Sequence, residues 1–403
     1  MYWNDFTQKP MKTITTILAA LSQDIEPHII SLRRDIHAYP ELSLQEVRTA
    51  ALVCTELKKL DIPFTLLKNH CVVGILKGDQ PGKRIAIRAD MDALPITEEN
   101  DMSYKSQNPD VMHACGHDGH TAMLLGTAAL LNNIKKHLHG TVFFCFQSGE
   151  EVGEGADVIL EFLEAQGGVD QAIAAHLWAD IPSGMISVVA GARMAAVDAF
   201  DIEVIGKGGH ASRPDLCIDP LKPAAAMLLA LSSIPTNRYN PLEPLVIHIG
   251  KMEGGALRNI FPNTANLYGG IRYFSPQARV LAGKLINEIA ENCARMYGAQ
   301  ARVTYLFGAP AVVNHPEAVS LAEQVVAEMP DLQLNTFEPI CASENFGFYL
   351  EKYHGFMAFI GIQNADKRLV CAHHHPHFDI DESVLIKGSE FFARYTANFL
   401  SGK

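Results

Sequence analysis

The sequence predicts an α/β fold in which a larger domain with a mostly parallel central sheet between helices is interrupted by a smaller ferredoxin-like βαββαβ layer. Two short, almost wholly apolar runs, Thr141 to Gln147 and Ala172 to Leu177, alternate with helical patterns, as strands buried on both faces of a parallel sheet do. Near residue 195 the pattern changes. Phe200, Ile202 and Val204 alternate with Asp201, Glu203 and Ile205, the period of a strand with one solvated face. At 403 residues the chain also exceeds what one ordinary core holds, so two domains are expected.

The elements follow in order. Ile14 to Leu21 is a short apolar stretch broken by Thr15 and Thr16, too short for a membrane span and expected to lead into a first helix. Met1 and Met11 are alternative starts. Ser43 and Glu46 have capping-box spacing, after which Val47, Ala51, Cys54 and Leu57 recur at helical intervals. Strands are expected over Cys71 to Leu76 and Arg84 to Ala89, on either side of the turn signal Gly78-Asp79-Gln80-Pro81-Gly82. A helix follows over Asp118 to Leu131. After the strand near residue 200 come a helix over Pro220 to Leu231, strands over Leu245 to Lys251 and Ala265 to Phe274, a helix over Pro276 to Met296 and a strand over Arg302 to Leu306, which is the βαββαβ order. A strand over Phe356 to Ile362 and a helix from Asp381 close the larger domain. The expected division is 1–194 and 308–403 for that domain and 195–307 for the inserted one.

Bulk properties narrow the function classes. The formal net charge of -12 argues against nucleic acid and anionic membranes as partners, since both demand a basic surface. Eight cysteines without a CxxC pair read as reduced thiols of a cytoplasmic protein rather than a disulfide framework.

The densest polar cluster is Met112-His113-Ala114-Cys115-Gly116-His117-Asp118-Gly119-His120. Imidazole and thiolate are ligands for zinc and related ions, and glycines let the backbone fold tightly around one. The plainer alternative is a polar loop with Asp118 capping a helix. Glu150-Glu151 leaves the buried strand that ends at Gln147, where open α/β sheets place their crevices. One carboxylate could bind metal while the other takes a proton from water; an acidic cap on the helix near Ala156 is the bland reading. His176 ends the next apolar strand, and His373-His374-His375-Pro376-His377 lies near the C-terminus; both offer ligands or ordinary structural histidines. Asp90 and Asp92 close the strand Arg84 to Ala89, where carboxylates can orient ligands from behind. Gly206-Lys207-Gly208-Gly209-His210-Ala211-Ser212 is glycine-rich but lacks the spacing of a nucleotide-binding loop; His210 there is either an oxyanion contact or structural.

Taken together these segments resemble the metallopeptidase and amidohydrolase family of aminoacylases and carboxypeptidase-G-type enzymes. The matching motifs are Arg33-Arg34-Asp35-Ile36-His37 with Pro40-Glu41-Leu42, Arg88 to Pro95, Met112 to His120, Glu150-Glu151, His176, Gly206 to Ala211 and Asn259-Ile260-Phe261-Pro262. The Cys-Gly-His-Asp form is similar to the amidohydrolase subfamily with hippurate and indoleacetyl-amino-acid hydrolases. The resemblance implies two divalent metal ions, zinc or manganese with nickel or cobalt as alternatives, held by Cys115, His117, Glu151, His176 and His374. Alignment on Pro376 selects His374, with His373 and His375 as alternatives. It further implies Glu150 as general base for a metal-activated water, His210 as an oxyanion or substrate contact reaching a partner subunit, Asn259 and Arg272 as substrate contacts, and Asp92 and Asp118 as carboxylates supporting the ligands. The inserted domain would mediate a homodimer. The family's usual Ser-Glu-Asp-Phe stands here as Ser343-Glu344-Asn345-Phe346. The implied activity is hydrolysis of small N-acyl amino acids, hippurate-like or acetylated. The alternatives are a dipeptidase or diamino-acid deacylase on the same scaffold and, from another class, an inactive metal- or ligand-binding protein.

Overall fold

A computed structural model describes residues 14–401, which form two compact units: 14–191 with 314–338 and 348–401, and 192–313 with 339–347. The alternative starts at Met1 and Met11 lie outside the described residues.

The first unit is built on an eight-stranded sheet. Its strands are β1 (Phe64–Leu66), β2 (Val72–Lys77), β3 (Gln80–Asp90), β4 (His139–Gln147), β5 (Gln171–Pro182), β6 (Met185–Ser187), β7 (Gln333–Leu334) and β8 (His354–Gln363), in the spatial order β1-β2-β4-β3-β5-β8-β6-β7. The four central strands, β4, β3, β5 and β8, run parallel, while β1 and β2 on one side and the β8–β6 pairing on the other are antiparallel. Val142 to Gln147 of β4 is buried residue after residue, so the unbroken apolar run reflects helices on both faces.

The longer described helices of this unit are α1 (Ile14–Ala38), α2 (Val47–Lys59), α3 (His117–Asn133), α4 (Ala156–Ala165), α5 (Pro316–Ala327) and α6 (Ser383–Ser401). Helices α1, α3 and α6 pack on one another. Helix α3 is buried almost all round, so its sequence carries little amphipathic signal. A Cβ on its Gly126 would stand 2.4 Å from Ile29 Cδ1 and 2.6 Å from Ser389 Oγ; glycine there lets α1 and α6 close on α3.

The capping-box expectation for α2 fails. Glu41 caps the helix instead, its two oxygens accepting from Arg48 N and Thr49 N, both at 2.8 Å. Ser43 donates to Asp92 (2.7 Å), and Glu46 is buried against Ser148 and Gly149. Tertiary partners have claimed both residues. His176 also differs from expectation, because β5 continues past it to Pro182.

The second unit carries a four-stranded antiparallel sheet in the order Leu245–Gly254, Thr264–Tyr273, Ala196–Ile205, Gln300–Phe307. With helices Leu221–Leu231 and Pro276–Met296 packed on it, the chain order is βαββαβ apart from short extra elements. Phe200, Ile202 and Val204 enter its core with Leu267, Ile271 and Ile286, as the period-two pattern requires. Residues 339–347, expected in the larger domain, cluster here because Ala195 N donates to Ile340 O (3.1 Å) and Ala342 O (2.9 Å).

Candidate active site

The site lies at the C-terminal ends of the parallel strands. Asp90 of β3 pairs in register with Gln147 of β4, and Arg88 with Ala174 of β5, so Asp90, the Ser148–Glu151 turn and His176 emerge near one level. Gly116 (φ 93°) turns the chain sharply between Cys115 and His117 as α3 begins. Gly149 (φ 75°) does the same before the turn Glu150–Val152. Both conformations favour glycine.

Three groups of ligand-type atoms each lie within 4.8 Å of one another: Cys115 with His117 and His176; Cys115 with Glu151 and His374; His117 with Glu150 and Glu151. All five predicted ligands and the predicted base therefore meet in one cluster, with Cys115, His117 and Glu151 each belonging to two of these groups. Cys115 Sγ stands 3.6 Å from His176 Nε2, and Glu151 Oε1 stands 3.4 Å from His374 Nε2 and 3.9 Å from His117 Nε2.

The imidazoles are held in order. His176 Nδ1 donates to Leu177 O at 2.7 Å, and His117 Nδ1 to Asp92 O at 3.0 Å. Because those oxygens only accept, each ring in its neutral form presents an Nε2 lone pair to the cluster. His120 forms a fourth group with Asp90 and His117, but its ring is spent elsewhere: Nε2 accepts from Leu177 N at 2.9 Å and Nδ1 donates to Asp90 at 2.5 Å. The three consecutive histidines also separate. His373 donates to Leu177 O (2.9 Å), while His375 Nδ1 accepts from His377 N (3.0 Å). His374 takes a left-handed φ of 63°, its N–H anchored on Ala114 O at 2.8 Å, and so turns toward Glu151. His113 stays apart, with both nitrogens lacking a hydrogen-bond partner among the described residues; burial pulls its pKa down to about 4, leaving it neutral.

The electrostatics fit a cation. Burial pushes the Cys115 thiol well above the ordinary cysteine range, with Glu151 and Glu150 adding to it against His117. Burial opposes charge on His117 too, yet Asp90 and Cys115 hold its pKa well above the histidine value. Burial, with His120 and His373 alongside, keeps His176 neutral. His117 Nε2 and Glu151 Oε1 are buried without a hydrogen-bond partner among the described residues. Two carboxylates, a thiol and imidazoles are the donor set of a divalent-metal site, and a bound cation would displace the His117 proton and ionise the thiol.

Of the supporting carboxylates, Asp92 takes His117 Nδ1, Ser43 Oγ and Glu151 N, bracing two predicted ligands at once. Asp118 faces away, bonded to Arg33 Nε (2.7 Å) and His37 Nδ1 (2.8 Å). His37 in turn meets Glu98 at 3.2 Å; against burial and the Arg33 charge, its hydrogen bonds to Asp118 and Glu98 raise its pKa. Sequence reasoning gave no individual role to Arg33, His37 or Glu98, gave Glu46 only a capping one, and counted His120 within the polar cluster. The available signal was Arg33 and His37 four residues apart on α1, hence on one helix face.

In the second unit, His210 sits in the short strand Gly209–His210, paired with Ile260–Phe261. Ala211 N donates to Asn259 O at 3.1 Å, so His210 and Asn259 are neighbours. Arg272 pairs with Val197 near the far end of the strand Thr264–Tyr273, some eight residues, or about 27 Å, along an extended strand from Thr264. Glu344 and Asn345 of the divergent motif are buried, Glu344 accepting from Phe346 N at 2.9 Å.

Residues 86–398 match the model of peptidase family M20/M25/M40. The chain belongs to that family. This M20 chain is 37% identical to an N-acetyl-L-cysteine deacetylase of Bacillus subtilis over 369 residues, 91% of this chain and 87% of the relative. It is 38% identical over 298 residues to an N-acyl-L-amino acid amidohydrolase of Geobacillus stearothermophilus, covering 74% and 80% of the two chains. A solved Bacillus subtilis protein described as a dinuclear metal-binding peptidase of family M20 superposes with a TM-score of 0.84 at 34% identity, covering 94% of this chain and 99% of that one. Membership makes the M20 chain a hydrolytic enzyme acting on amides, and its mixed α/β fold with a large, mostly parallel sheet is shared with that neighbour. No described helix is long and apolar enough to cross a membrane.

Proposed function

We propose that this M20 enzyme hydrolyses the amide bond of small N-acyl amino acids, acetylated or hippurate-like, releasing the carboxylic acid and the free amino acid. The observation that carries the reading is the convergence of Cys115, His117, Glu151, His176 and His374 beside Glu150. Relatives named for deacetylation of N-acetylcysteine and for N-acyl amino acid hydrolysis support the substrate class.

In this reading the five ligands hold two divalent cations, zinc or manganese suiting the donor set, with nickel and cobalt as alternatives. Bound there, the cations supply Lewis acidity to the substrate carbonyl and to water. Glu150 takes the proton of the attacking water and returns it to the nitrogen as the C–N bond breaks. Asp92 keeps His117 and the Glu151 backbone fixed while this happens. His210 is assigned the oxyanion contact, reaching across a homodimer formed by the second unit, and Asn259 and Arg272 the polar groups of the substrate. All eight cysteines are unpaired, which favours a reducing, cytoplasmic setting.

The test compares initial rates of metal-loaded protein on N-acetyl amino acids, benzoylglycine and simple dipeptides. Faster release of amino acid from the N-acyl substrates is expected. Dipeptides cleaved faster than all of them would replace the reading with a dipeptidase, and metal binding without turnover would replace it with a binding protein.

A further inference from the structure

We infer that Arg33 is a positioning residue that yokes two ligand-bearing segments of the site, the first turn of α3 and the loop that follows His374, setting where His374 stands relative to Cys115 and His117. This rests on the metal-binding reading above. The guanidinium is fully buried on α1, far in sequence from every proposed ligand. Its Nε donates at 2.7 Å to Asp118, the residue after His117, and its Nη2 at 2.7 Å to Asp379, five residues after His374. Nη1 reaches Glu382 at the start of α6 (3.3 Å).

Each arm is itself immobilised. His37, one turn along α1, donates to the same Asp118 oxygen at 2.8 Å. Tyr104 donates to the second oxygen of Asp379 at 3.0 Å and lies under the Arg33 guanidinium. Between His374 and Asp379, Phe378 is wholly buried, its carbonyl accepting from Asn100. The planar fork of one arginine therefore spans two carboxylates at fixed separation, which a lysine point charge cannot do. Cys115 and Glu151 share a ligand group with His374, so loosening the Asp379 arm loosens one corner of that group and leaves Cys115, His117 and His176 together.

The test measures zinc retained per chain by dialysed, reconstituted protein under increasing chelator, with circular dichroism and melting curves as a check on folding. Wild type is expected to hold two ions. Arg33→Lys and Asp379→Asn are expected to keep their fold but surrender one ion at a chelator concentration at least tenfold lower. Arg34→Gln, which loses a partly exposed pairing with Glu382 and a contact over the Tyr104 ring but has no bond to Asp118 or Asp379, is expected to match wild type. If Arg33→Lys restored full retention, burial of a charge rather than the fork would be the role and the inference would fall. Should that variant not fold, Asp379→Asn decides alone, and wild-type retention by it overturns the yoke. A wild type that holds no ion overturns the metal reading itself, a separate and recognisable failure.

Discussion

The backbone N–H of Leu177 donates to His120 Nε2 at 2.9 Å, which removes His120 from the ligand set although it stands beside His117 and Asp90. Leu177 also accepts from His176 and His373 through its carbonyl. The backbone of one residue thus sorts three histidines, leaving the Nε2 of His176 for the cluster. Replacing His120 by alanine leaves a buried N–H and part of Asp90 unsatisfied, a cost of about 2–3 kcal/mol. Urea unfolding of the metal-free variant should show that loss, whereas His176→Ala should show little of it and instead lose bound metal.

Glu150→Gln should retain metal and lose turnover, because Glu150 is the proposed base whereas Glu151 is the proposed ligand. General-base removal is worth about 10²–10⁴ in kcat. Steady-state rates beside elemental analysis check this; a kcat within a few-fold of wild type would reassign the base.

Glu46 provides a pH dependence. Burial raises its pKa from 4.5 to about 7, against the hydrogen bonds from Ser148 and Gly149. The folded state therefore binds this proton more tightly than the unfolded chain. The associated stability is complete below about pH 4.5 and is lost as pH rises through 7. Glu46→Gln should flatten the fall in urea midpoint between pH 5 and pH 8 in the metal-free protein. An identical slope in the two proteins would contradict the assignment.

Glu41→Ala should destabilise by about 1 kcal/mol, the usual cost of losing a helix N-terminal cap, because Glu41 satisfies two amides of α2. Ser43→Ala should act differently: it loosens Asp92 and so should weaken metal retention. Denaturation midpoints and chelator titration separate the two effects.

Much of the site was legible because its residues are locally dense or follow buried strands. Cys115 and His117 stand one residue apart, and Glu150-Glu151 leaves an apolar run too uniform to be anything but internal. The choice among His373, His374 and His375 was legible only through the alignment on Pro376, since no local pattern shows the left-handed turn at His374 or that His373 meets Leu177 O while His375 accepts from His377 N. Nor was Arg33, whose partners lie 85 and 346 residues away. The capping box misled because a local pattern cannot reveal that Asp92 and Ser148 compete for the same side chains. The βαββαβ layer was readable from alternation alone, but the attachment of 339–347 to it depends on pairing with Ala195, which no local period encodes.

The place of β8 in the sheet has a consequence for biosynthesis. This strand, His354–Gln363, lies between β5 and β6, yet it leaves the ribosome more than 160 residues after them. Until then one edge of β5, the strand bearing His176, has no neighbour, and unpaired apolar edges invite association with other chains. The nascent protein must pass through a long interval with its central sheet unclosed and the last of its proposed ligands, His374, not yet made. Folding of the first unit is thereby tied to completion of the polypeptide, and chains released early should depend on holding chaperones to stay unaggregated.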